Sequence, residues 1–244
     1  MHYYFMRFII GILLAISLTG CYKVFLKPSG EAALCRIEMM TIPGYMPNET
    51  YHRAFEYDQF GNPVSVKVVE NDDGTGFATF RFDYNDLHQL TGYVGFSEHR
   101  FTYNNRGQVI IDSNRHYYTG GDARYEDRLY YDFLGRIVKV VSKFYYDYGG
   151  DEGVGTVVTS NLQYDERGNL VKPGVVYDDK VSIYRTHPVW MFIHRNYSVN
   201  NPIPAAEYNV QGLPLRYDTW NTDFLEMPVI TTEYTCAEQS AKLQ

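Results

Sequence analysis

The sequence predicts an all-β domain: an antiparallel meander of hairpins that makes a curled open sheet or a partly closed barrel. Three observations predict it. A Tyr-(Asp/Asn)-x-x-Gly pattern recurs along the chain, apolar and polar residues alternate just before each copy, and β-branched or apolar runs follow it. The copies start at Tyr57, Tyr84, Tyr103, Tyr131, Tyr164 and Tyr208, and the second has His88 where the others have glycine.

Each copy has its own physical logic. Asp or Asn after the tyrosine accepts a hydrogen bond from the backbone N–H two residues on, and the glycine takes positive φ without a Cβ penalty. That predicts a type I turn closed by a left-handed residue, joining two strands. His88 fits because His is among the non-glycine residues enriched at positive φ. Two positions before the tyrosines stand Phe55, Phe82, Phe101, Leu129, Leu162 and Ala206, with Glu56, Asp83, Thr102, Tyr130, Gln163 and Glu207 between. A period of two then buries the tyrosine ring and its i−2 neighbour on one face, with the hydroxyl expected to stay wet. Runs such as 64–68, 109–111 and 137–141 supply the returning strands, for roughly ten to fourteen short strands in all.

The motif at Tyr131-Asp132-Phe133-Leu134-Gly135-Arg136-Ile137, with those at Tyr164 and Tyr57, resembles the Tyr-Asp repeat of the Rhs family of large bacterial shell proteins. The resemblance implies β-hairpins, and in that family spiralling strands that enclose a cargo; six irregularly spaced copies are too few to enclose one. The chain is more similar to small Bacteroidetes-type lipoproteins of unassigned function that carry such repeats.

At the N-terminus Arg7 supplies a positive charge and 8–17 is apolar and uncharged. That run is shorter than the ~20 residues a spanning helix needs and has the order of a secretory signal. Leu18-Thr19-Gly20-Cys21 resembles the lipobox of bacterial lipoproteins, which implies removal of residues 1–20 and lipid on Cys21. Residues 21–34 then read as a lipidated tether and 35–244 as one all-β domain. The expected location is the cell envelope, on a bacterial membrane, the outer one by preference, facing periplasm or surface.

The whole chain carries 22 Lys+Arg against 29 Asp+Glu; removing Arg7 with the signal leaves 21 against 29, a net charge of −8. This balance argues against nucleic acid, whose binding rests on phosphate neutralisation. With Cys21 used for lipid, Cys35 and Cys236 form an even pair in an exported chain and predict a disulfide tying the first strand to the last.

No Gly-x-Ser-x-Gly, His-Glu-x-x-His, phosphate loop or Cys-x-x-Cys occurs, and no cofactor or metal is implied. Residues 71–76 (Asn-Asp-Asp-Gly-Thr-Gly) read as a hairpin tip, since the later ligands of a calcium loop are missing, and 147–153 as a solvated acidic loop. One segment leaves the repeat frame: between Tyr184 and Ala206 lie Trp190, His194, Arg195 and Tyr197. Pro188 suits the first turn of a short helix there. The segment is either a cap over a sheet edge or barrel mouth, or a ligand-contacting cluster made by those four residues.

The expected function is a membrane-anchored envelope lipoprotein with a non-enzymatic binding or structural role, its partner an envelope protein or a glycan. The alternative is a periplasmic or surface glycan hydrolase using paired carboxylates, such as Asp218 near Trp220. A third reading, a carrier of lipid, requires an apolar interior cavity.

Overall fold

The computed structural model describes residues 35–44, 46, 48–70, 78–118, 121–148, 151–202, 204–218 and 224–237. Residues 1–34 with Cys21, the tip at 71–77, Gly149, Gly150 and Trp220 lie outside the described residues. The described chain forms β1 (Cys35–Pro43), β2 (Thr50–Tyr57), β3 (Pro63–Val68), β4 (Phe80–Tyr84), β5 (Leu90–Val94), β6 (Ser97–Tyr103) and β7 (Val109–Tyr118). It continues through β8 (Gly121–Tyr131), β9 (Ile137–Tyr148), β10 (Asp151–Asn161), helix α1 (Pro188–Ile193), β11 (Glu207–Tyr208), β12 (Pro214–Arg216) and β13 (Thr231–Cys236). All thirteen strands join one antiparallel sheet in the order β10 through β1, then β13, β12, β11. The sheet is open and does not close into a barrel: β10 and β11 are its two edges.

The turns form as their residues dictate. At the first, Asp58 Oδ1 accepts from the N–H groups of Phe60 (2.9 Å) and Asn62 (2.8 Å), and Gly61 has φ 89°. His88 takes φ 58° in the second turn, its ring 3.9 Å from that of Phe60. The register shifts by one residue at Tyr57, Tyr84, Tyr103, Tyr131 and Tyr208, so each tyrosine enters its turn through a bulge. The fifth copy forms its turn, but only a bridge between Tyr164 and Leu170 follows in place of a hairpin.

The tyrosine hydroxyls do not stay wet. Tyr84 donates to the carbonyl of Pro63 (2.9 Å), Tyr103 to Leu90 (2.6 Å), Tyr131 to Val109 (2.7 Å) and Tyr234 to Pro214 (2.9 Å). Each acceptor opens the returning strand of a neighbouring hairpin. With the rings largely buried, a hydroxyl without a partner costs on the order of 1–3 kcal/mol, so the pattern ties hairpin to hairpin.

From β10 the chain must cross back to the β1 side, and 162–206 does so over one face of the sheet. Trp190 of α1 is fully buried there, edge-on to Phe55 (5.7 Å), Phe82 (5.5 Å) and Phe224 (5.5 Å), while Phe192 meets Phe101 at 5.0 Å. Phe55 and Phe82 belong to interior strands, so the cap covers a face of the sheet and not an edge or a mouth. Large-to-small substitution at such a site costs about 3–5 kcal/mol, and the space a lipid carrier would need is filled here by side chains. β13 then pairs with β1, and a disulfide joins Cys35 to Cys236 (S–S 2.08 Å).

Candidate functional site

Beside the Trp190 core, the face under α1 turns polar. Counting back by two from Tyr103, β6 places Phe101, His99 and Ser97 on the covered face; β7 adds Asp112 and Asn114, and β8 adds Asp127. Phe101 is opposite Asp112, His99 opposite Asn114 and Asp112 opposite Asp127. These side chains, with Tyr93, Phe192, Arg195 and Glu226, line a cleft of about 220 Å³.

One hydrogen-bonded line runs through it. Ser97 Oγ lies 2.8 Å from His99 Nε2, and His99 Nδ1 lies 2.8 Å from Asp112 Oδ1. Asp112 Oδ2 accepts from Arg195 Nη2 at 3.2 Å, and the same nitrogen donates to Asp127 Oδ2. Ser97, Asp112, Asn114 and Asp127 are buried. The ring of Tyr93 stacks on that of His99 at 4.2 Å and 10°. Burial by itself lowers the Arg195 pKa, but the carboxylates of Asp127 and Asp112 outweigh it and the net shift is upward. Burial raises the Tyr93 phenol pKa, so that ring stays neutral.

Arg195 owes its position to the end of α1. His187 caps the helix start, its Nδ1 accepting from the N–H of Val189 (3.2 Å), with Pro188 in the first turn. At the other end Arg195 takes φ 48°, its N–H bonding Phe192 O (3.0 Å) while Asn196 N–H bonds Met191 O (3.0 Å). That is a Schellman end, whose left-handed position glycine normally fills. Leu225 (φ 53°) and Glu226 (φ 62°) form a second strained turn at the cleft, and the N–H of Leu225 reaches His194 Nε2 at 3.4 Å.

Of the four residues expected from the sequence, only Arg195 lines the cleft. Trp190 is core, and Tyr197 is buried, its pKa pushed well up by burial. His194 packs between Tyr184 (4.5 Å) and Phe224 (4.8 Å), and burial lowers its pKa to about 3. Asp218 is exposed and paired with Arg216, away from the cleft. Ser97, His99, Asp112 and Asp127 were missed; Ser97, His99 and Asp127 are polar residues four or six places before a repeat tyrosine, where they break the apolar frame, whereas Asp112 lies on a returning strand and has no such mark. Among the described residues no group of three or more His, Cys, Asp or Glu is placed to hold a metal.

No protein-family model matches the chain, and no curated protein matches its sequence.

Proposed function

We propose that the protein is a lipoprotein of a bacterial cell envelope, anchored through lipid on Cys21 to the outer membrane, and that it binds a small polyhydroxylated ligand of glycan type in the cleft under α1 without chemistry of its own. The observation that carries the reading is the placement of strain. Five non-glycine residues among those described have positive φ, and two of them, Arg195 and Glu226, line this cleft. Each costs on the order of 1–3 kcal/mol and persists where the surrounding structure holds it, as binding sites do.

The lining suits hydroxyl groups. Asp112, Asp127 and Glu226 supply acceptors, Arg195 and Asn114 supply donors, and Phe101, Phe192 and Tyr93 supply ring faces. At about 220 Å³ the cleft is smaller than the ~300–1,000 Å³ of drug-sized sites and admits one compact unit. Calorimetric titration of the oxidised protein with envelope oligosaccharides should show binding that the Glu226→Gln variant weakens. Heat-silent titrations with every envelope glycan fraction would sink the reading. Intact mass spectrometry of protein from its own membranes tests the anchor: acyl groups on Cys21 support it, and an unmodified chain removes it.

A second reading is favoured by the Ser97–His99–Asp112 line, which has the order of nucleophile, base and orienting carboxylate at hydrogen-bond distances. It shifts the hydrolase alternative from glycosidic bonds to acyl groups. Asp112 and Asp127 do form a carboxylate pair, but the Arg195 guanidinium fills the space between them that a sugar bond and water need. Ser97 is only 2 % exposed, so an acyl group would have to enter past Tyr93 and Phe192. Labelling by a fluorophosphonate probe, lost in Ser97→Ala, would promote this reading; an unlabelled native protein would end it.

A further inference from the structure

The repeat turns converge on one end of the sheet. Each joins the C-terminal end of one strand to the N-terminal end of the next in an antiparallel meander, so the turns at 58–62, 85–89, 104–108, 132–136 and 209–213 line up along a single edge. Their positions between the Asx residue and the left-handed residue are free of conformational demand, and solvent should fill them with polar side chains. Of the ten such positions Gln59, Asp86, Asn105, Arg106 and Gln211 are polar, but the other five hold Phe60 (60 % exposed), Leu87 (77 %), Phe133 (87 %), Leu134 (38 %) and Val210 (93 %). Turn tips of a soluble domain gain nothing from such a row.

The described chain begins at that same end. β1 runs antiparallel to β2, with Met39 opposite Ala54 and Pro43 opposite Thr50, which puts Cys35 beside the end of β2 where the first turn starts. The Arg36 side chain lies against Gly61 of that turn, its guanidinium 5.5 Å from the Tyr57 ring centroid. Thirteen residues lie between Cys21 and Cys35, a reach of at most about 50 Å when extended. Ser97 and His99 of the cleft lie toward the other end of β6 from its turn.

We propose that this edge seats on the bilayer that carries the lipid of Cys21, with Phe60, Leu87, Phe133, Leu134 and Val210 entering the boundary between headgroups and acyl chains. The proposal rests on the lipoprotein reading given above. The charged residues at the same tip positions are Asp86 and Arg106, one of each sign, so the attraction is apolar and changes little with salt. Seated so, the sheet stands on its turn edge with the cleft held away from the membrane surface.

The test uses the full acylated chain, purified from its membranes and reconstituted into phosphatidylethanolamine–phosphatidylglycerol vesicles containing brominated lipid. The Phe133→Trp variant reports the turn edge, and Met46→Trp, exposed between β1 and β2 at the opposite end, is the control. After subtraction of the native tryptophan signal, bromolipid should quench Phe133→Trp several-fold more than Met46→Trp, at low and high salt alike. Equal, weak quenching of both in a chain whose mass shows acyl groups on Cys21 overturns the seat and leaves the anchor standing. A mass without acyl groups overturns the anchor and the seat with it. A Phe133→Trp probe shielded from acrylamide but not reached by bromolipid places a protein there, and also overturns the seat.

Discussion

The phenol of Tyr131 donates to the main-chain carbonyl of Val109 across 2.7 Å, and Val109 is the residue on which β7 starts. The next hairpin is thereby fastened to the previous one at its turn end. Tyr131→Phe keeps the ring and leaves that carbonyl short of a donor, so it should lower stability by about 1 kcal/mol, up to ~3 if water cannot replace the hydroxyl. Tyr130 points to the solvent face and is 42 % exposed, so Tyr130→Phe should be near neutral. Urea unfolding of both variants checks the difference; equal midpoints would show that the hydroxyl bond contributes nothing.

Cys35 and Cys236 are 201 residues apart, and their bond fastens β1 to β13 at a junction that no short turn supports. Chain-entropy reasoning and the behaviour of native disulfides give a loss of about 2–5 kcal/mol on removal. The double variant Cys35→Ala, Cys236→Ala should lose this much, and reduction of the wild type should match it. A variant as stable as the oxidised protein would mean that β-pairing alone holds the junction.

The repeat made most of the fold legible. Tyrosine, Asp or Asn, and glycine carry their turn chemistry locally, and alternation assigns Phe55, Phe82 and Leu129 to the buried face. What the sequence hides is the return of 162–206 across the sheet, because it depends on where β10 leaves the chain and not on any local preference. The cleft was hidden for a related reason. The position four before the repeat tyrosine is Arg53, Phe80, His99 and Asp127 in the first four copies, a set whose polar members look like solvent-facing residues until the covering segment is in place. Arg195 was picked out, but as one of a ligand-contacting cluster with Trp190, His194 and Tyr197. Its role needed the positive φ that turns its side chain toward strands 83 and 68 residues away.

Arg195 holds two buried carboxylates, so its loss leaves Asp112 and Asp127 facing each other without a cation. Arg195→Met should cost about 3–5 kcal/mol, the usual consequence of breaking a buried ion pair from one side. Adding Asp112→Asn and Asp127→Asn to it should recover part of the loss, since amides do not repel. Equilibrium unfolding of the single and triple variants decides: a triple variant less stable than Arg195→Met would show that the carboxylates stabilise the fold through other partners.

Two histidines on either side of α1 should make stability fall with acid. Burial lowers the His187 pKa to about 4 and that of His194 to about 3, against ~6.5 in an unfolded chain. The folded state therefore keeps both neutral while the unfolded state takes up protons, so the stabilisation is fully present above about pH 6.5. It declines as pH falls, by about 1.4 kcal/mol per pH unit for each histidine, and levels off only below the folded values near 4 and 3. Unfolding free energies measured between about pH 7 and pH 5 should show this slope, and His194→Gln, which still offers the N–H of Leu225 an acceptor, should remove about half of it. A slope unchanged in both His187→Gln and His194→Gln would assign the acid sensitivity to carboxylates elsewhere.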